Sequence, residues 1–388
     1  MAKIRLGDIA TVVTKGTTPT TMGFQFEDGG INFVKIESIS EDGTFLKEKF
    51  SHISDECNVQ MRRSQLQEND ILFSIAGAIG RSAIVTKEIL PANTNQALAI
   101  IRVPKGKIDY NYLLYALSSS AINQQATQHQ QGVAQLNISL KNVSDFLLPI
   151  YTEAMQKRIV HNLKKIDKLI SLRKQQLAKL DELVKAQFAN TFENDANFHT
   201  DYMENLSEFV TVGIANSATH AYAEHGVVML RNQNIKENHL DDTELVYIEP
   251  EFADKYKSKK LEANDILVTR TGYPGIACVV PQKYAGSQTF TTLIIRLKKK
   301  TNVSSCYICH YINSSHGKKY VSGTKVGVAQ QNFGAKVLAK MPVIVPPIEL
   351  QNQFATFVAR IDQQKQTVQQ SLEKLELMKK ALMQEYFG

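Results

Sequence analysis

Two amide-rich loops hold the residues best suited to recognising a ligand. They are "QHQQGVAQLN" (residues 128–137) and "GTKVGVAQQN" (residues 323–332), whose shared Gly-Val-Ala-Gln phrases begin 195 positions apart. Glutamine and asparagine pair a donor with an acceptor on one planar amide, which matches the N6/N7 edge of adenine, and glycine lets a phosphate approach closely. The alternative is a glycine turn whose amides satisfy the local backbone. The candidate contacts are Gln130, Gln131, Gly132, Gln135, Asn137, Lys325, Gly327, Gln330, Gln331 and Asn332.

Within these loops, the shared glycine, valine and alanine are best interpreted as framework. The positions that differ between the two loops, Gln130 and Gln131 against Lys325, are better candidates for reading different sequences.

In a second pair of loops, an arginine lies near two glycines whose spacing is the same in both loops. In "IAGAIGR" (residues 75–81) Arg81 follows the loop, whereas in "RTGYPGI" (residues 270–276) Arg270 precedes it. Arginine is the usual bidentate reader of guanine, although a β-turn with a surface arginine is the structural alternative. Further candidates of the same kind are Arg62, Arg63, Arg231, Asn232, Gln233 and Tyr273. The runs "KSKK" and "KKK" are typical of solvated faces or, at most, phosphate contacts.

Signatures of catalysis are missing. The sequence contains no phosphate-binding G-x-x-x-x-G-K-[ST], no G-x-G-x-x-G after a strand and no H-E-x-x-H, and its nine histidines lack metal-ligand spacing. We therefore expect no enzyme activity, no metal and no cofactor in this chain. The one local match, "CYICH" (residues 306–310), fits the C-x-x-C-H pattern of haem attachment.

Duplication explains that match. "NDILFSIAGAIGRSAIV" from Asn69 aligns with "NDILVTRTGYPGIACVV" from Asn264, again at an offset of 195. The same offset places His310 on Tyr115 of the helical segment "YNYLLYALSSSAINQQATQ", which has no cysteine. "CYICH" is therefore predicted to be a structural helix, and the chain to be two copies of one unit of roughly 195 residues.

Each copy combines a mixed domain with a long helix. Short apolar runs separated by Gly, Asn, Asp and Pro predict an α+β domain with a strongly bent sheet, and no Gly or Pro occurs from Thr152 to Phe192. We predict globular domains at 1–152 and 199–347, a first helix with its linker at 153–198, and a second helix at 348–388. Apolar spacings of 4 and 3 predict an intramolecular antiparallel coiled coil. Its seam positions are Ile159, Leu163, Ile166, Ile170, Arg173, Leu177, Leu180, Val184, Phe354, Val358, Ile361, Lys365, Val368, Leu372, Leu375 and Lys379.

Two of these positions interrupt the two apolar seams near their middles. Arg173 and Lys365 either fix the register of the helix pair or line a surface for a partner.

No segment of the chain is strongly basic. The net charge is +7, yet residues 1–152 carry 14 basic and 14 acidic side chains. A nucleic-acid surface must therefore be a local patch. No apolar run reaches the roughly 18 residues of a membrane span, and the start, "MAKIRLGDIA", lacks a secretory apolar stretch. With only four cysteines, the expected location is cytoplasmic.

Over its whole length the chain resembles the specificity subunit of Type I restriction-modification systems. The resemblance rests on "KGTTPT", the strand and loop that begin "NDIL", the Gly-Val-Ala-Gln loops, and the helix entries "PIYTEAMQKRIVHNLKKIDKLI" and "PPIELQNQFATFVARID". It adds Lys15, Gly16, Thr17 and Thr18 to the candidate DNA contacts. The second copy has "VGIANSATH" where the first has "VTKGTTPTT", so this element is not extended to it.

The resemblance implies a division of labour. Each domain would be a target-recognition domain that reads half of an asymmetric, bipartite double-stranded DNA site, and the helices would set the gap and dock two methyltransferase subunits. S-adenosylmethionine is expected on the methyltransferase, and ATP and Mg on restriction subunits. The competing hypothesis is a coiled-coil scaffold that binds no DNA.

Overall fold

The computed structural model describes residues 2–128, 137–193, 198–215, 219–323 and 333–388. Two compact units divide the chain: unit 1 comprises Met1–Lys174 with Gln370–Gly388, and unit 2 comprises Gln175–Gln369. Among the described residues no helix combines the length and apolar character that crossing a membrane requires.

In the part of unit 1 that the structure describes, nine strands and five short helices accompany a long helix. The strands are β1 Lys3–Arg5, β2 Val12–Lys15, β3 Ile31–Val34, β4 Ser51–Ile53, β5 Ile71–Ser74, β6 Ser82–Ile84, β7 Ala92–Thr94, β8 Leu98–Arg102 and β9 Leu147–Pro149. The helices are α1 Leu6–Ile9, α2 Asp55–Gln60, α3 Tyr110–Leu117, α4 Ser120–Gln128 and α5 Leu140–Ser144. The long helix α6 spans Glu153–Phe188.

The central sheet of unit 1 separates two apolar cores. Its strand order is β2-β8-β5-β6, all antiparallel, beside a second sheet of order β4-β3-β7. Because side chains alternate along a strand, Ile71 and Phe73 pack with α3 in one core, whereas Leu72 packs with Val34 in the other. This burial on both faces explains why β5 is apolar at nearly every position.

Unit 2 repeats this plan. Its strands are β10 His199–Tyr202, β11 Ser207–Val212, β12 Tyr222–Ala223, β13 Val227–Leu230, β14 Ile235–Lys236, β15 His239–Leu240, β16 Val246–Ile248, β17 Ile266–Val268, β18 Ala277–Val279, β19 Gln288–Thr289, β20 Leu293–Leu297 and β21 Pro342–Val345. Its helices are α7 Met203–Leu206, α8 Pro250–Lys255, α9 Ser305–Asn313, α10 Ser315–Gly323, α11 Ala335–Ala339 and the long α12 Ile348–Phe387. The central order β11-β20-β17-β18 matches β2-β8-β5-β6.

Buried ion pairs recur at the same place in both copies. Arg102 donates to Asp70 from Nε and Nη2 at 2.7 and 2.6 Å, and Arg296 donates to Asp265 from the same two atoms at 2.9 and 2.7 Å. Each carboxylate also accepts a backbone N–H at 2.7 Å. The duplication inferred from sequence therefore extends to polar contacts inside the fold.

The two long helices pack against each other in an antiparallel direction. Within unit 1, Asp167 and Lys379 lie 2.7 Å apart, and Lys174 and Glu376 lie 3.4 Å apart. As the α6 number rises, the α12 number falls. Each predicted seam residue is buried or half-buried, which confirms the coiled coil. In unit 2, Lys365 Nζ bonds Asp181 Oδ1 at 2.6 Å, which favours a register role for Lys365.

Each long helix contributes aromatic residues to a core. In unit 1, Phe387 at the end of α12 is 2% exposed, and its ring lies 5.2 Å from that of Tyr112 on α3. In unit 2, Phe192 follows α6 and lies 5.0 Å from Tyr307 on α9. The 195-residue repeat thus holds for the helix ends and for the helices that receive them.

Local details differ from the sequence predictions. The single helix expected over residues 110–128 is two helices, α3 and α4, because Ser118 and Ser119 interrupt it. "CYICH" lies within α9, and all four cysteines are free. A structural role for this segment is confirmed, since Cys309 is 1% exposed.

Burial of His310 predicts acid sensitivity in unit 2. Desolvation, aided by Lys365, lowers the pKa of His310 from 6.5 to about 4. The unfolded chain then binds the proton more readily, so this contribution to stability is complete above pH 6.5 and is lost as the pH falls towards 4. We expect the free energy of unfolding to drop by about 3 kcal/mol over that interval.

The matched variant is His310→Tyr, which copies Tyr115 of unit 1. Denaturant titrations of both proteins at pH 7 and pH 4.5 isolate His310, because both keep Lys365 and all the other titratable groups. Equal losses of stability in the two proteins would contradict the prediction.

Candidate nucleic-acid interface

Three loops of unit 1 meet at one edge of its central sheet. The Gly16 N–H donates to Asn95 O at 3.1 Å, and the Ile75 N–H donates to Ala97 O at 2.9 Å. Asn137 forms an isolated antiparallel bridge with Ala76. The candidates Lys15 to Thr18, Arg81 and Asn137 therefore belong to connected loops, whereas sequence alone had only placed them in separate motifs.

Gly16 is required by close packing. A Cβ built on it would lie 1.7 Å from the carbonyl oxygen of Thr94, which is itself fully buried. Next to it, the Thr18 hydroxyl donates to Gln96 Oε1 at 2.5 Å, and Lys15 is exposed at the end of β2. The segment "KGTT" thus offers an exposed ammonium group on a backbone held in place by its neighbours.

The glycine loop of each unit is held by one hydroxyl. In unit 1 the Ser74 hydroxyl donates to Ala78 O and accepts the Arg81 N–H. In unit 2 the Thr269 hydroxyl donates to Tyr273 O at 2.6 Å and accepts the Ile276 N–H at 2.9 Å. The two loops therefore share one backbone arrangement and differ in the side chains that they present.

The arginines of unit 1 occupy two environments. Arg81 Nη1 donates to Ile39 O at 3.2 Å, and Arg81 Nη2 lies 4.0 Å from Glu41, so its guanidinium holds a neighbouring loop. Arg62 and Arg63 are exposed on a short 3-10 turn, Arg62–Ser64, directly after α2. The latter pair is the freer source of positive charge for a ligand.

In unit 2, a side-chain hydrogen bond joins two of the segments that were predicted to contact DNA. Asn232 Nδ2 donates to Thr271 Oγ1 at 2.8 Å, which joins the segment "RNQN" to the glycine loop. Arg231 Nη2 donates to Glu244 O at 2.9 Å, and Gln233 Nε2 donates to Glu244 Oε2 at 3.2 Å. These contacts position a guanidinium and two amides beside the loop that carries Arg270.

Three buried polar atoms of this patch lack a hydrogen-bond partner among the residues that the structure describes. They are Arg231 Nε, Asn232 Oδ1 and Arg270 Nε. Leaving such an atom unsatisfied costs about 1–3 kcal/mol. A ligand that supplied acceptors to the guanidinium groups and a donor to the amide would remove that cost.

Sequence comparison now identifies the architecture. The pattern of the family described as Type I restriction modification DNA specificity domain matches residues 1–182 and again residues 201–377. The chain belongs to this family.

One relative of this specificity-domain chain is itself named as a specificity subunit. The Type I restriction enzyme EcoBI specificity subunit of Escherichia coli is 30% identical over 172 residues, which is 43% of this chain and 35% of the relative. The match therefore spans about a third of that curated relative.

Solved structures share the fold. A chain from a type I R-M system, studied for its complex assembly and conformational transition, aligns over 100% of this chain and 97% of its own length, with a TM-score of 0.65 and 13% identity. The S subunit of a Type-I restriction-modification system from M. genitalium gives a TM-score of 0.53 at 12% identity, covering 100% of this chain and 96% of its own.

Matching turns in the two specificity domains carry basic residues. Lys35 was not among the sequence candidates, and Lys257 was interpreted only as part of the run "KSKK". Lys35 and Arg231 both precede a 3-10 turn, Ile36–Ser38 and Asn232–Asn234, with the same capping arrangement. Lys257 opens the turn Lys257–Lys259, which corresponds to Arg62–Ser64. The offset of 195 relates Lys257 to Arg62, whereas Lys35 and Arg231 are 196 positions apart and are related by their matching turns.

A groove of about 380 Å³ lies beside the turn Lys257–Lys259. Residues of β11, Gly213, Ile214 and Lys259 line it, and Lys259 Nζ donates to Thr211 Oγ1 at 2.7 Å. A Cβ on Gly213 would lie 2.4 Å from Thr289 O, as Gly16 lies against Thr94 O. The glycine of "KGTTPT" therefore has a counterpart in the second domain after all, although its Thr-Thr-Pro does not.

The Gly-Val-Ala-Gln loops remain predictions. Gln130, Gln131, Gly132, Gln135, Lys325, Gly327, Gln330, Gln331 and Asn332 lie outside the described residues. The structure does describe the residues that follow each loop. The Phe333 N–H donates to Arg270 O at 3.2 Å, and the Ile138 N–H donates to Ile75 O at 2.9 Å. A short helix, α5 or α11, lies between each loop and the strand that follows it.

Proposed function

We propose that the chain recognises an asymmetric, bipartite double-stranded DNA site, with unit 1 reading one half and unit 2 the other. One observation carries the proposal: the two units keep the same loop backbone but present different side chains from it. The Ser74 and Thr269 hydroxyls hold equivalent turns, while Ile75 and Arg81 of unit 1 correspond to Arg270 and Ile276 of unit 2.

The chemistry of recognition divides between phosphates and bases. Exposed Lys15, Arg62 and Lys257, on turns of fixed position, suit phosphate oxygens. Arg270 and Asn232 suit base edges in the major groove, since arginine pairs with guanine and amides pair with adenine. Phosphate contacts give affinity that falls with salt, whereas base contacts give sequence preference.

Catalysis would come from partners. By family membership we propose that two methyltransferase subunits, carrying S-adenosylmethionine, bind this chain, and that restriction subunits using ATP and Mg join them. The alternative, a coiled-coil scaffold without DNA binding, does not explain why the glycine loops of the two units present different side chains.

The experiment is methylation-aware sequencing of DNA from cells that express the chain with a Type I methyltransferase subunit from the same genome. We expect adenine methylation in one bipartite motif. Replacing residues 1–152 with the matching segment of a relative should change one half of the motif and leave the other half intact. Absence of any bipartite motif, or a change in both halves, would refute the proposal.

Salt dependence supplies an independent check. The logarithm of the binding constant should fall linearly with the logarithm of salt concentration, with a slope of about −0.9 for each phosphate contact. A flat response would favour the scaffold.

A further inference from the structure

Tyr273 is the most exposed large apolar side chain that the structure describes. Its exposed fraction is 84%, against 51% for Tyr202 and 39% for Tyr222 in the same unit. Single exposed apolar residues are common on protein surfaces and need no explanation by themselves. The surroundings of Tyr273 set it apart.

The loop beneath the ring is held firmly. The Thr269 hydroxyl binds both Tyr273 O and the Ile276 N–H, and the Gly275 N–H donates to Thr269 O at 3.0 Å. Gly272 and Gly275 have φ values of +73° and +91°, which glycine adopts without strain. The ring is therefore presented from a turn whose backbone has little freedom left to lose on binding.

Proline follows the tyrosine and stiffens the tip further. Pro274 fixes its own φ and restricts Tyr273 to extended backbone. Pro274 also has no N–H, so the tip enters an apolar environment with one fewer donor to desolvate.

The equivalent loop of unit 1 lacks this feature. By the repeat, Ala78 and Ile79 stand where unit 2 has Tyr273 and Pro274, while the hydroxyl clamp is the same. Packing within the loop does not require an aromatic ring, since alanine serves in its copy. The same loop backbone therefore forms with Ala78 in unit 1 and with Tyr273 in unit 2.

Polar and cationic groups surround the base of the tip. Arg270 starts the loop, and Thr271 accepts a hydrogen bond from Asn232. An apolar protein groove would have to desolvate these groups, whereas DNA supplies phosphates and base edges for them and flat bases for the ring.

We infer that Tyr273 enters the base stack of the half-site read by unit 2 and partly unstacks one base step, while unit 1 makes no such insertion. This inference rests on the proposed function. Apolar side chains that insert between base steps widen and kink the duplex, and stacking on a base is tolerant of sequence. Tyr273 would thus add affinity and local DNA deformation to the sequence preference set by its polar neighbours.

The test uses the full chain co-purified with its methyltransferase partner. The duplexes carry 2-aminopurine at successive purine positions of the determined motif, except the methylated adenines and the purines next to them, because a methyltransferase flips its target base out of the stack. Binding should raise the fluorescence of 2-aminopurine at one step of the second half-site and at none of the first. Tyr273→Ala should abolish that rise and weaken binding about tenfold. Tyr273→Phe should keep both, because the ring and not the hydroxyl inserts.

Tyr202→Ala is the matched control, since it removes another exposed tyrosine of unit 2 and should change neither readout. Thermal unfolding of each variant should match the parent protein, because an 84% exposed side chain contributes little to folding. Weakened binding by Tyr273→Ala without a fluorescence rise in the parent protein would place the ring against a groove and overturn insertion. Unchanged binding would overturn any contact, whereas a parent complex that prefers no sequence would instead refute the proposed function.

Discussion

Replacing Gly16 with alanine is expected to cost unit 1 on the order of 3 kcal/mol of folding free energy and to abolish recognition of one half-site. The added Cβ would lie 1.7 Å from Thr94 O and 2.4 Å from Thr94 C. Both are backbone atoms of the buried strand β7, so no side-chain rotation can relieve the overlap. The loop carrying Lys15 and Thr18 must then move, or β7 must separate from β3.

Gly29→Ala is the matched control, because a Cβ there has no atom within 4 Å. Denaturant unfolding followed by hydrogen exchange should show the loss of stability in unit 1 for Gly16→Ala only. Methylation-aware sequencing should show relaxed sequence preference in one half of the motif. Wild-type stability and motif for Gly16→Ala would contradict the packing described here.

Replacing Phe387 with alanine should destabilise unit 1 by about 3–5 kcal/mol, although the residue lies at the far end of the sequence. Phe387 is 2% exposed and packs in the core that contains Tyr112 and Leu163. Alanine would leave a cavity beside Tyr112, whose hydroxyl donates to Pro149 O at 2.8 Å and holds β9.

Hydrogen exchange locates this effect. Amide protection in α3 should fall, while protection in the equivalent α9 of unit 2 should be unchanged. Leu377→Ala, at a 67% exposed position of the same helix, should leave both helices protected. Loss of protection in α9 instead of α3 would contradict the assignment of the α12 end to unit 1.

Periodic features of the sequence predicted much of the fold. The offset of 195 predicted the duplication, and spacings of 4 and 3 predicted the helix seam from Ile159 to Val184 and its counterpart from Phe354 to Lys379. These predictions succeeded because burial on one helix face repeats along the chain and leaves a local pattern. The repeat even paired Phe192 with Phe387, yet nothing local indicated that Phe387 would pack against Tyr112.

Contacts between loops were beyond sequence reasoning. Arg81 was predicted either to read a base or to lie on the surface of a β-turn, but its contacts with Ile39 O and Glu41 depend on where a loop some 40 residues earlier passes. Gly213 was missed as the partner of Gly16, because the match lies in a close approach to Thr289 O and not in the neighbouring residue types. Which loops meet at a sheet edge is decided by topology, and short motifs do not record it.

The composition of unit 1 also bears on how the protein is made. Its last segment, Gln370–Gly388, is separated in sequence from the rest of unit 1 by the whole of unit 2. At about 5–20 residues per second, a ribosome adds that segment roughly 10–40 s after Lys174. During that time the surface around Tyr112 lacks its covering, and unit 2 has received all of its residues before the last segment of unit 1 begins. The domain synthesised first is therefore the one completed last, and a ribosome that stops just before residue 370 would release a chain in which only the N-terminal domain is unfinished.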